Sequence, residues 1–136
     1  ARTAEEPLPG ARGAEPAVAL AALSEPTASH LRGVYGTRAL DVLALTDADP
    51  SLAAPLDPAS GAIAAEIVWA VRREGARTLT DILLRRTMIG LDPDAGPGSA
   101  EAAADVASRT LGWNDARVRV ELASFRGTVR RSKQPR

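Results

Sequence analysis

Cysteine is absent from the sequence, which excludes disulfides, thiolate metal sites and cysteine nucleophiles within its 136 residues. Histidine occurs once, as His30, so no second imidazole or thiolate can complete a zinc site with it, and no Ser-His-Asp pattern follows from one distant histidine. Aromatic residues make up only 3% of the chain, too few for a base-stacking platform. No run of about 18 apolar residues occurs, so no membrane-spanning helix is expected. The acidic, Pro-rich start does not read as a signal peptide. Charge of one sign is not in surplus: 17 basic and 17 acidic residues give a net charge of zero, which argues against a dedicated polyanion binder. Methionine occurs only as Met88 and the chain opens at Ala1, so a piece of a longer polypeptide, or a processed product, is expected.

What is present in quantity is alanine and arginine, with Lys133 the sole lysine. Such a bias is what a GC-rich genome produces, and it weakens any step from arginine to phosphate. Residues 1–26 are rich in Pro, Gly, Ala and Glu, and Pro7, Pro9, Pro16 and Pro26 forbid a long helix there. They read as a connector from an upstream region, with one helical turn over 17–23. A helical domain is expected over 27–131, and 132–136 reads as a frayed basic tail.

Within that domain the periodicity predicts helices. The first covers 27–47 with a break near Gly36, and Leu31, Tyr35, Ala39 and Val42 share its inner face. A second covers 63–74, with Ile63, Ile67, Ala70 and Val71 as its stripe and Gly75 as a left-handed cap. A third begins at Thr78, with Asp81 as an acidic capping-box partner and Leu79, Ile82 and Leu83 inward, and fades near Thr87. A fourth covers 99–111 with Ser99 as N-cap and Gly112 beyond its end. A fifth starts at Asn114, where Trp113 and Val118 match a hydrophobic staple and Val118, Leu122, Phe125 and Val129 continue the stripe. "RVRVEL" alternates, but it lies inside this last helical pattern. The expected fold is all-α: a compact bundle of about five short helices behind an irregular Pro/Gly-rich connector.

Five arginines fall between Arg72 and Arg86, with only Glu74 and Asp81 among them. Arg85 follows Asp81 by four residues and Arg77 follows Glu74 by three, the spacings at which opposite charges meet on one helix face. Arg72, Glu74, Asp81, Arg85 and Arg86 are therefore expected to form a structural or interdomain polar network around the Gly75 corner. Asp92 and Asp94 lack the length and order of a calcium loop, and "GARG" and "GPG" do not sit between a strand and a helix as a dinucleotide fingerprint must. The basic tail, Arg130, Arg131, Lys133 and Arg136, is a candidate for contact with anionic headgroups. Residue chemistry alone yields no catalytic, cofactor-binding or metal site.

The stretches "HLRGVYGTRALDVLAL", "DPSLAAPL", "AEIVWAVRREGARTLTDILLRRTMIGLD" and "LGWNDARVRVELASFRGTV" resemble the C-terminal domain of the FAD-dependent glycerol-3-phosphate dehydrogenases and oxidases. The most specific part runs from Glu66 to Leu91: an acid-led apolar helix, then Arg-x-Glu, Thr-Leu-x-Asp and Arg-Arg-Thr. The residue after Arg-Arg-Thr is Met88, where the family pattern has a basic one. The resemblance implies an all-helical cap that is inactive alone and holds no FAD. It implies a longer enzyme that oxidises sn-glycerol 3-phosphate to dihydroxyacetone phosphate with FAD, and quinone or oxygen as acceptor. Its expected partners are the upstream flavin and substrate domains, with no nucleic acid, and its expected place is the cytoplasm, the enzyme lying peripherally on the cytoplasmic membrane. The competing expectation is a free-standing helical module that binds an acidic or nucleic-acid partner through its arginines.

Overall fold

A computed structural model describes residues 22–57, 59–91 and 98–135. The connector expected over 1–26, with its turn over 17–23, lies almost wholly outside these residues, as do Asp92 and Asp94 and, at the other end, Arg136. Helix α1 spans Glu25–Tyr35, and a 3-10 turn, Gly36–Arg38, leads into α2, Ala39–Ala48. The 3-10 turn Pro50–Ala53 precedes α3, Ala64–Arg72. A short α4, Leu79–Asp81, runs on into a π-helical segment, Ile82–Arg86, and a 3-10 turn, Ile89–Leu91. The described chain closes with α5, Ser99–Leu111, and α6, Asp115–Ser132. No strand occurs among the described residues, where a lone antiparallel bridge joins Pro55 to Ile63. The all-α expectation is therefore met.

Helix α3 is the structural centre. All its residues from Ala64 to Val71 are buried and, Glu66 apart, apolar, so the helix is covered on every side rather than along one stripe. One side, carrying Ile67, Val68 and Val71, packs with Leu79, Ile82, Leu83 and Ile89 and with the alanines of α5. Those alanines, Ala100, Ala103, Ala104 and Ala107, are too small to hold the two helix axes apart. The other side, with Ala65 and Trp69, meets Leu31, Tyr35, Ala39 and Val42 of α1 and α2, the face expected for the first helix. Helix α6 packs across α4 and α5 through Phe125, with Val118, Leu122 and Val129 half-buried beside it.

Chain punctuation follows local chemistry, with corrections. Helix α1 begins before Thr27, because Pro26 sits in its first turn, where a missing N–H costs nothing. Gly36 breaks the long first pattern at φ 56°. Thr78 caps α4 by accepting from the Asp81 N–H at 3.1 Å, and Asn114 caps α6 by accepting from the Arg117 N–H at 2.8 Å. Ser99 is not a cap. It is the first helical residue of α5, behind Gly98, and makes no capping bond. The Asp81 carboxylate turns toward arginines rather than back to complete a capping box. The basic end is helical as far as Ser132, so Arg130 and Arg131 lie in the last turn of α6. At Gly61 an added Cβ would lie 2.3 Å from the Pro26 carbonyl oxygen, so glycine lets this loop press against the start of α1.

The third predicted helix departs most from regularity. Thr87 is fully buried, and its N–H and hydroxyl both donate to the Ile82 carbonyl, each at 2.9 Å. That five-residue reach makes the turn π-helical. Met88 follows at φ 61°, the sole non-glycine residue with positive φ among those described.

Candidate functional site

The arginine corner divides into three parts rather than forming one network. Asp81 pairs with Arg85 at 3.4 Å and, at a longer 4.0 Å, with Arg86. Arg85 is 74% exposed, so this pair is screened and contributes only tenths of a kcal/mol, about 0.2–1 at most. Arg77 makes no ion pair among the described residues, so the expected Glu74–Arg77 pair does not form. Glu74 instead lies near Tyr35, with its Oε2 buried and without a hydrogen-bond partner among the described residues. Arg72 leaves the corner entirely. It lines a cavity of about 330 Å³ between α2, α3 and α5, with Asp49, Arg109 and Thr110 as the other polar walls and Leu45 and Val106 among the apolar ones. Arg73 lies over the Trp69 ring at 5.6 Å.

Two buried carboxylates organise this region: Glu66, read in the sequence only as the lead acid of a motif, and Glu121, which the sequence reading did not single out. Glu66, at 0% exposure, accepts from the Ile63 N–H at 2.8 Å through one oxygen and meets His30 Nε2 at 2.7 Å through the other. It thereby satisfies a free donor at the start of α3 and ties α1 to α3. Isoleucine has no acceptor to return the bond, so only the carboxylate half of a capping box exists. Tyr35 lies against the same acid without a hydrogen bond of good geometry. Burial raises its phenol well above the ordinary value, and the Glu66 and Glu74 carboxylates push it the same way. Glu121 of α6 does for α4 what Glu66 does for α3. Its Oε2 accepts from the Leu79 N–H at 2.8 Å, and its Oε1 takes Arg117 at 2.7 Å.

Both acids left traces in the sequence. Glu66 stands three residues after Ile63, the position from which an acid reaches back to a helix start. Glu121 follows Val118 by three residues, which puts a carboxylate on the inner face of an otherwise apolar stripe. Their partners, His30 at a separation of 36 residues and Leu79 at 42, carry no local mark. Chemically, the arrangement joins helices: each buried acid is spent on a helix start and one further side chain, His30 for Glu66 and Arg117 for Glu121. No group of three or more metal-ligating side chains occurs among the described residues, and none of their helices is long and apolar enough to cross a membrane.

Comparison with known proteins assigns the chain to a family. A family described as the C-terminal domain of alpha-glycerophosphate oxidase matches residues 1–118. Glycerol-3-phosphate dehydrogenase 2 of Mycobacterium tuberculosis is 39% identical over 101 residues, covering 74% of this chain and 17% of that protein. Glycerol-3-phosphate dehydrogenase of Mycobacterium leprae is 38% identical over the same length and shares. The Synechocystis glycerol-3-phosphate dehydrogenase is 38% identical over 95 residues, 65% of this chain and 17% of its own. The chain thus spans about a sixth of the curated relatives it matches. No solved structure matches it.

Proposed function

Because the chain belongs to the family of the C-terminal domain of alpha-glycerophosphate oxidase, we propose that it is the accessory helical domain of a flavin-dependent glycerol-3-phosphate dehydrogenase and carries none of the reacting groups. The observation that carries this reading is the match of residues 1–118 to a domain named as C-terminal, together with relatives of which the matched stretch covers only 17%. The longer chain oxidises sn-glycerol 3-phosphate to dihydroxyacetone phosphate. Two electrons pass as a hydride to FAD and then to a quinone or to oxygen.

The described residues do not fit FAD themselves. The cavity beside Arg72, at about 330 Å³, has no glycine-rich turn between a strand and a helix to cradle a pyrophosphate. FAD and substrate are held by the flavin and substrate domains upstream, which are this domain's partners. Asp81, Arg85 and Arg86 serve the contact with them, while Arg72 and Glu74 support the fold on either side of α3. The enzyme works at the cytoplasmic face of the membrane, where cations at the end of α6 add contact with anionic headgroups at about 1 kcal/mol each.

The test uses the product of the full-length reading frame. Its visible spectrum is recorded, sn-glycerol 3-phosphate is added without oxygen, and a quinone analogue follows. A flavin spectrum that bleaches with substrate and returns with quinone is expected. A protein without flavin, or with a flavin blind to this substrate, overturns the reading.

A further inference from the structure

Besides the end of α1, where Gly36 stands at φ 56°, three helix ends among the described residues are closed by a residue with positive φ. Gly75, at φ 71°, follows α3, and Gly112, at φ 72°, follows α5. The third, after the π-helical segment, is Met88 at φ 61°. Glycine adopts this conformation without steric cost, and the chain uses it at the other two ends. At the third a long apolar side chain is kept against that cost, and it is 47% exposed rather than packed in the core. Backbone strain kept at a half-exposed side chain is an outlier from which a function can be inferred.

The surroundings point the same way. The Met88 carbonyl accepts from the Leu91 N–H at 3.0 Å, which closes a tight turn and brings the two residues within one turn of each other. Leu91 is 56% exposed, so two large apolar residues reach the surface from this one turn. Beneath them the turn is rigidly seated. Thr87 and Ile89 are buried, and at Gly90 an added Cβ would lie 2.8 Å from Leu84 and 2.9 Å from Phe125. At their margin Arg85 and Arg86 share the single carboxylate of Asp81, which leaves one cation unneutralised.

We propose that Met88 and Leu91, flanked by Arg85 and Arg86, form the knob on which this domain docks against the polypeptide that precedes it in the longer chain, in an apolar seat with an acidic rim. The inference rests on the function proposed above and adds the contact face. The size of the patch selects this occupant. A separate protein needs an interface of roughly 1,000 Å² or more, whereas two domains on one chain meet at a high effective concentration and are held by far less. The relatives, of which this chain spans 17%, supply such a chain.

The experiment follows thermal unfolding of the full-length chain by flavin fluorescence and, in parallel, by helical circular dichroism. Four proteins are compared: the parent, Met88→Ser with Leu91→Ser, Met88→Gly, and Val34→Ser with Val120→Ser, which alters the other two exposed large apolar residues among those described. The parent is expected to show one coincident transition. Met88→Ser with Leu91→Ser should split it, the helical signal changing about 5 °C or more away from flavin release. Met88→Gly should also split it, although glycine relieves the local strain, and this separates docking from a merely structural turn. The Val34 and Val120 control should behave as the parent. Coincident transitions in both Met88 variants, a split parent, or an equal split in the control overturns the proposal. A full-length chain without flavin overturns the function it rests on, an outcome visible before any heating.

Discussion

A carboxylate at 0% exposure persists only where donors replace the water it has lost, and each Glu66 oxygen has one, the Ile63 N–H and His30. Glu66→Ala leaves that N–H and the imidazole without their acceptor and opens a cavity, so it should cost about 3 kcal/mol in urea unfolding. Glu66→Gln keeps an amide oxygen for one of the donors and should cost less. Tyr35 gives a pH test at the same scale. Its folded phenol titrates above its unfolded value near 10, so the stability it contributes is full below pH 10 and is lost as pH rises beyond. Tyr35 is the sole tyrosine, so phenolate absorbance belongs to it alone. That signal should appear together with loss of helical circular dichroism, not before it. The Glu66 position was open to a sequence reading, since an acid three residues into a helix has a known use. The His30 partnership was not, because it depends on how α1 lies across α3.

The elements show where local signals suffice. Thr78, Asn114, Gly75 and Gly112 act at the helix boundaries where their chemistry places them. The faces of α1, α2 and α4 follow from spacing alone. Two features did not. Helix α3 is buried all round because α1 and α2 cover the side away from α5; the nearly continuous apolar run of 64–72 fits such burial but does not say which elements supply the cover. The π-helical turn arises because Thr87, otherwise an ordinary helix residue, is pulled fully into the core with its hydroxyl on the Ile82 carbonyl. Helix α4 offers a graded test. Thr78→Ala removes one cap bond and should cost about 1 kcal/mol. Glu121→Ala leaves the buried Leu79 N–H unpaired and releases Arg117, and should cost about 2–3 kcal/mol. Equal losses in chemical denaturation would mean that the reach from α6 adds nothing to the start of α4.

For the molecule as a whole, charge balance decides between an enzyme's accessory domain and a free binding module. The arginines are dispersed. Arg109 pairs with Asp105, Arg117 with Glu121, Arg126 with Glu101 and Arg85 with Asp81, each of the four bridges using a different acid. With 17 charges of each sign, retention on a polyanion column should be weak and insensitive to salt. Retention that falls steeply with salt would favour the module. The fold class and the family resemblance were legible because long helical patterns and four separate anchors over 66–91 are hard to produce by chance. The dispersal of the arginine corner was not legible, since spacing along a helix does not tell which wall a side chain finally lines, as Arg72 shows at its cavity.

The claim that this chain holds a domain in place and takes no part in the reaction meets its most direct test in single-turnover kinetics. In the full-length chain, Arg85→Ala with Arg86→Ala is mixed with sn-glycerol 3-phosphate without oxygen, and flavin bleaching is timed. The account predicts a reduction rate within about threefold of the parent, well under 1 kcal/mol of barrier, alongside a lowered unfolding temperature. A rate lower by about a hundredfold or more, with unfolding unchanged, would place these arginines at the reacting centre and contradict it.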